Sequence, residues 1–308
     1  MAPAPLRRRV PLGGPLDLRR TLGPLRRGRR DRCTVVDGAT VWRATRTPAG
    51  PVSVRLEVDP RVAELTGSAW GPGAAWAVEH LAAMAGADDD DTGFAEQLAG
   101  ARGPGASLLA ALRRQLPGLR IPATGAVTEA LVPAVLEQKV TGLQAHRSWV
   151  ALVAQLGTPA PGPAGALGML VPPAPEVWAQ VPSWTFHRAG VERKRAATIA
   201  TACGLADRLD PPAPPPPPGR AGRRAASDVA RRLAALPGVG AWTVAEVSRV
   251  ALGDPDAVSV GDYHLKNTVV WNLAGRARGT DEEMLELLEP YRGHRGRVTR
   301  LLEAAGRF

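Results

Sequence analysis

The sequence predicts an α+β N-terminal lobe, a small antiparallel sheet with helices, followed by a mostly α-helical bundle containing a helix-hairpin-helix motif. Three observations predict it. The β-prone segments separated by turn signals all lie before Asp59. From about residue 93 onward, apolar residues recur at helical spacing between recognisable caps. Between two of those helices stands Leu236-Pro237-Gly238-Val239-Gly240-Ala241-Trp242-Thr243, a turn too tight for bulky side chains, with Pro237 fixing one φ angle and Gly238 and Gly240 free to take φ > 0. The expected boundaries are a small α+β domain over 1–92 and an all-helical region over 93–308, itself in two lobes, with the hairpin motif at 227–252 and a loop at 253–264.

Taken in order, residues 1–14 carry Arg7, Arg8 and Arg9 in a Pro/Gly setting and read as a loosely ordered, solvated tail. A short helix is expected over 17–25. Strands are expected over 33–37, 40–45 and 52–58, with Asp37-Gly38 and Thr47-Pro48-Ala49-Gly50 as turns. A helix over 73–85 carries Trp76, His80 and Leu81 to cover this sheet. After the acidic run 88–91, helices are expected over 93–99, 106–116 and 128–156. The last is interrupted, because Thr141-Gly142-Leu143-Gln144 is a capping box that starts a new helix. Residues 158–175 are rich in Pro and Gly and read as a loop. Helices follow over 176–181 and 192–208, and the proline run within 210–219 is a linker or surface loop. Ser227 suits the N-cap of a helix over 227–235, whose Val229, Leu233 and Leu236 share one face. Val244, Val247 and Ala251 repeat that spacing after the turn. A helix is expected over 263–273. Thr280-Asp281-Glu282-Glu283 caps another that Pro290 stops, and Val298, Leu301, Leu302 and Ala305 mark the last, ended by Gly306. Trp149, Trp178, Trp184 and Trp271 are expected in the core.

Composition narrows the functional classes. The 39 basic and 29 acidic residues give a formal charge of +10, which favours a polyanionic partner and salt-sensitive binding. Lysine occurs only at 139, 194 and 266, so 36 of the basic residues are arginine. A GC-rich genome produces such an excess whatever the function, so charge alone does not single out DNA. Cys33 and Cys203 are the only cysteines, which excludes a four-cysteine iron–sulfur cluster or a cysteine-built zinc site. The five histidines show no ligand spacing. No apolar run reaches membrane-spanning length and the start lacks a signal-peptide core, so a cytoplasmic protein is expected.

A hairpin of this kind leaves the first backbone N–H groups of its second helix pointing outward at the positive end of the helix dipole, where a phosphate is favoured. A glycine-rich turn can equally be only a turn. Twenty positions after Trp242 stands Asp262, which opens the next helix.

LPGVGAWT followed by VSVGDYHLK resembles the helix-hairpin-helix DNA glycosylase superfamily, and within it the DNA-3-methyladenine glycosylase II type. The resemblance covers residues from about 15 to 308, weakly in the first lobe and strongly from 227 to 301. It implies a nucleoid-associated, monofunctional enzyme of base excision repair. Such an enzyme acts as a monomer on double-stranded DNA containing damaged bases, flips the base and hydrolyses its N-glycosidic bond; the bases implied are alkylated purines, 3-methyladenine and 7-methylguanine.

The same resemblance implies roles residue by residue. Gly238, Val239, Gly240 and Thr243 would grip the DNA backbone, with a monovalent cation at the hairpin backbone, no side-chain metal site and no other cofactor. Gln138 and Lys139, at a helix junction, stand where the wedge that fills the emptied stack belongs. A lysine departs from an apolar wedge, and either its aliphatic stem or Gln138 could do that work. The 253–264 segment would be the active-site loop and Asp262 the catalytic carboxylate, stabilising positive charge on the sugar and orienting or deprotonating water. Capping the next helix is a compatible second role for Asp262. Trp242 occupies the place of the nucleophilic lysine of bifunctional members, so strand cleavage is not expected. Trp242, Tyr291 and Glu246 would line the base pocket; Tyr291 stands where a tryptophan is expected and Glu246 where the type has a tyrosine. An ion pair of Glu246 with Arg249 on the same helix is an equally good reading. Arg249, Arg295 and His264 are candidate DNA contacts or ordinary surface groups. Two other functions stay open: a non-catalytic DNA-binding or lesion-sensing protein, and a glycosylase for deaminated or oxidised bases.

Overall fold

The computed structural model describes residues 4–210 and 220–306, so most of the proline run, at 211–219, lies outside the described residues. Five antiparallel strands open the fold: β1 (Leu6–Pro11), β2 (Thr34–Asp37), β3 (Thr40–Thr47), β4 (Gly50–Asp59) and β5 (Glu64–Trp70), in the order β1-β5-β4-β3-β2. Asp37 pairs with Thr40 and Thr47 with Gly50, so two tight turns join β2, β3 and β4 where the turn residues predicted them.

Two strands of this sheet had no sequence signal. β1 is the arginine-rich segment expected as a loose tail; it is an edge strand, so its largely exposed side chains need no alternation, and charge there discourages pairing with other chains. β5 reads Glu-Leu-Thr-Gly-Ser-Ala-Trp because a helix lies close upon it: a Cβ at Gly67 would sit 2.4 Å from Leu81 Cδ1. Close packing selected small residues there, at the expense of β-propensity.

Around the sheet lie α1 (Leu18–Leu22), capped by Asp17, and the helix predicted over 73–85. That helix breaks at His80 into α2 (Ala74–Glu79) and α3 (Leu81–Ala85), and buries Ala77 and Leu81 on the sheet.

The rest is helical, apart from a minimal hairpin of β6 (Thr158–Pro159) and β7 (Leu170–Val171) inside the segment expected as a loop. The helices are α4 (Phe94–Gly100), α5 (Pro104–Gln115), α6 (Val127–Glu137), α7 (Gly142–Leu156), α8 (Pro163–Ala166), α9 (Pro175–Gln180), α10 (Ser183–Arg188), α11 (Arg193–Cys203), α12 (Ala206–Leu209), α13 (Arg220–Ala234), α14 (Ala241–Val247), α15 (Leu265–Ala274), α16 (Asp281–Leu288) and α17 (Arg295–Ala304). The capping boxes at Thr141 and Thr280 form as predicted. Ser227 does not cap: α13 starts seven residues earlier, so Ser227 lies within it.

Two cores position the site. The sheet, α6, α7, α11, α13 and α14 share one. The other joins α4 and α5 to α15, α16 and α17, although 150 residues separate the two groups in sequence. Val250, Ala251 and Leu252 end in the first core while Leu265 and Val269 begin the second, so the 253–264 loop crosses from one to the other. Trp149 and Trp178 are buried as expected. Trp184 and Trp271 are not: they are 64% and 54% exposed, because Phe186 on α10 and Val269, Val270 and Leu273 on α15 take the inward faces. Among the described residues no helix is long and apolar enough to cross a membrane.

Candidate active site

Asp262 sits at the crossing between the cores. Its Oδ1 accepts from the backbone N–H groups of His264 at 2.8 Å and Leu265 at 2.9 Å, which ties off the start of α15. Its Oδ2 accepts from Trp242 Nε1 at 3.0 Å. One oxygen therefore anchors the carboxylate to a helix while the other is aimed by the hairpin's indole. Asp262 is half-buried and opens, with Trp242 and Glu246, onto a cavity of about 720 Å³.

The hairpin is rigid for local reasons. Gly238 has φ +84°, and a Cβ there would lie 2.2 Å from Thr198 Oγ1, a hydroxyl that donates to Pro237 O. Only glycine fits. Gly240 instead has extended backbone (φ −101°, ψ −179°), so one glycine, not two, uses positive φ. Nothing lies within 4 Å of where its Cβ would be, which leaves the start of α14 open to an approaching group. The first helical bond runs from Val244 N–H to Gly240 O, so the preceding amides stand ahead of the ladder. The Leu236, Pro237 and Gly238 carbonyls already accept from Val239 N–H, Thr198 and Gln138.

The helix junction is bolted to this hairpin. Gln138 Nε2 donates to Gly238 O and to Thr243 Oγ1, both at 2.9 Å. Gln138 is thus a tie, and Lys139 beside it is the exposed residue, held at φ +57° between α6 and α7.

No family model matches the chain. A probable bifunctional transcriptional activator/DNA repair enzyme AlkA of Mycobacterium tuberculosis is 33% identical over 158 residues, which is 51% of this chain and 30% of that protein. The match therefore spans under a third of the relative's length. The 3-methyladenine DNA-glycosylase of Archaeoglobus fulgidus superposes with TM-score 0.75 at 15% identity, over 98% of this chain and 99% of its own. The apo 8-oxoguanine glycosylase/lyase of Clostridium acetobutylicum gives 0.68 at 10% identity over the same shares. The chain has the helix-hairpin-helix DNA glycosylase fold.

Within this glycosylase fold the candidate residues fall into three groups. Trp242, Glu246, Asp262 and His264 share the cavity. Gly238, Gly240 and Lys139 are exposed on the hairpin and junction, whereas the side chains of Val239 and Thr243 are 7% and 2% exposed, so Val239 can offer only backbone outward. Tyr291 is placed elsewhere. It is 4% exposed, sits in the second core and does not line this cavity; burial pushes its phenol above the usual value.

Arg249 and Arg295 are both engaged within the protein. Arg295 grips Asp256 through Nε at 2.8 Å and Nη2 at 2.6 Å. Arg249 donates from Nη1 to Glu246 Oε1 at 2.9 Å and from Nη2 to Glu303 Oε2 at 2.5 Å, and Arg300 Nη1 joins the same Glu303 oxygen at 2.8 Å. Burial would lower Arg249, but the Glu246 and Glu303 carboxylates outweigh it and hold it above its usual value. Burial likewise pushes Glu303 up, and the Arg249 and Arg300 guanidiniums outweigh that and hold it below the usual carboxylate range. Sequence reasoning missed the part of the wall where Arg19, Arg20, Arg26 and Arg27 of the N-terminal lobe meet the cavity. In a chain this rich in arginine no local signal sets those four apart.

Proposed function

We propose that the chain is a monofunctional DNA glycosylase that flips alkylated purines, 3-methyladenine and 7-methylguanine, out of duplex DNA and hydrolyses their N-glycosidic bonds, acting as a monomer in base excision repair. The single observation that carries the reading is Asp262: a carboxylate oriented by three donors, at the mouth of a cavity large enough for a purine, and tied by Trp242 to the hairpin. The names borne by the relatives, a DNA repair enzyme and a 3-methyladenine DNA-glycosylase, support it.

The chemistry follows from charge development. As the bond between base and deoxyribose lengthens, positive charge builds on the sugar ring, and a fixed carboxylate beside it stabilises that state and orients the attacking water. An alkylated purine leaves as a neutral base, so no general acid is required. The hairpin amides grip a phosphate, and Lys139 stands where the vacated stack must be filled, its aliphatic stem against the neighbouring bases. A lyase step would need an amine at the sugar. Trp242 offers none, and lysines 139, 194 and 266 are all absent from the cavity lining.

Duplexes carrying 3-methyladenine, 7-methylguanine, hypoxanthine or 8-oxoguanine test the reading. The expected result is release of the two methylated bases, leaving alkali-labile sites in intact strands. Binding without release of any base would favour the lesion-sensing alternative. Release of 8-oxoguanine with strand scission and a borohydride-trapped adduct would contradict both the lesion range and the monofunctional assignment.

A further inference from the structure

We infer, resting on the glycosylase reading, that Glu246 reads the exocyclic amino group of the flipped purine, with Arg249 and Ser259 as the positioning residues that aim it. Trp242 and Glu246 are four residues apart on α14 and so lie one above the other on the same face. Both line the cavity that Asp262 enters. Because the Trp242 indole is bonded to Asp262, the end of the cavity near Trp242 is the sugar end, and a base extending along the helix from there presents its edge to Glu246.

The hydrogen bonds of Glu246 decide what it can recognise. Its Oε1 accepts from Arg249 Nη1 at 2.9 Å and from Ser259 Oγ at 2.5 Å. Among the described residues nothing donates to Oε2; the side chain is 19% exposed, and its exposed part opens onto the cavity. Attraction of a cation is the weaker option. Glu246 and Glu303 are matched by Arg249 and Arg300 in one connected network, so the group presents little net charge to a ligand. What remains is a fixed hydrogen-bond acceptor, and carboxylates accept from the exocyclic amines of nucleobases. Adenine-derived and guanine-derived lesions carry such an amine; hypoxanthine does not. A site built to bond a substrate N–H rejects the analogue lacking it, because its own polar group is left unpaired.

A matched pair separates this from leaving-group ability. One duplex carries 7-methylguanine and the other 7-methylhypoxanthine; both bases are cationic and they differ only in the amine. In single-turnover release, wild type is expected to favour 7-methylguanine by about tenfold or more. Glu246→Leu should bring the ratio of the two release rates close to one, and circular dichroism with thermal melting reports separately whether the variant is folded. Glu246→Gln, whose one oxygen is held by Arg249 and Ser259 so that its NH2 group faces the base, should lose most of the preference, and Ser259→Ala should reduce it. A wild-type ratio near one, or variants that slow both bases equally, would overturn the assignment. Release of neither base by wild type would instead overturn the glycosylase reading beneath it.

Discussion

Trp242 donates its indole N–H to Asp262 Oδ2 at 3.0 Å, across twenty residues of chain and between the two cores. The bond makes the hairpin and the carboxylate one unit, so an error in either displaces both. Trp242→Phe keeps a ring in the cavity and removes only this donor. A hydrogen bond to a charged group contributes about 1.5–3 kcal/mol, so base release should fall by roughly ten- to a hundredfold with duplex affinity little changed. Unaltered single-turnover release would show that the indole does not aim the carboxylate.

Gly238→Ala should damage the hairpin twice over. A left-handed backbone costs an L residue about 1–2 kcal/mol, and the new methyl would lie 2.2 Å from Thr198 Oγ1. Urea unfolding should show a loss of roughly 2–4 kcal/mol, together with weaker duplex binding. Adding Thr198→Ala should recover the steric part and not the backbone part. A stable, tight-binding Gly238→Ala protein would mean the turn is not the rigid grip described.

Lys139 holds φ +57° without being glycine, a conformation that raises its energy, and strain of this kind concentrates at functional sites. Lys139→Gly should therefore raise thermal stability slightly while reducing base flipping, read as 2-aminopurine fluorescence in a lesion-containing duplex. A lower melting temperature, or unchanged flipping, would remove Lys139 from the wedge role.

Glu303 links Arg249 and Arg300 along the cavity wall, and these guanidiniums hold its carboxyl below the usual range despite burial. A depressed folded-state value means that its stabilisation is complete above the unfolded carboxyl's pKa of about 4.3 and is lost as pH falls below it towards the folded value. Glu303→Gln should cost about 3 kcal/mol at pH 7. The gap between variant and wild type should persist to pH 5 and narrow below about pH 4. Chemical denaturation across that range checks it, and a gap that ignored pH would contradict the pairing.

Much of this was readable from local chemistry. Asp37-Gly38, Thr141 with Gln144 and Thr280 with Glu283 act within a few residues, so the turn and both caps formed where the sequence placed them. Trp242 and Asp262 were singled out by the resemblance of their motif, whereas the hydrogen bond between them became visible only in the fold. What escaped was set by distant partners. Gly67 is small because Leu81 lies on it, and β1 is a strand because β5 offers it an edge. Arg19, Arg20, Arg26 and Arg27 reach the cavity only because the sheet lobe folds back against the helical bundle. Tyr291 illustrates the reverse case: its place in sequence suggested the pocket, whereas the packing of α16 and α17 buries it in the second core.

The central claim is that Asp262 stabilises the sugar as the base departs. Asp262→Asn preserves size while removing the charge, its single oxygen serving either the α15 amides or Trp242, and it is best measured as single-turnover release of 7-methylguanine from duplex DNA beside duplex affinity. Loss of such preorganised electrostatic stabilisation should slow release by about a hundredfold or more while the protein still binds the duplex. Release by Asp262→Asn at the wild-type rate would contradict the account.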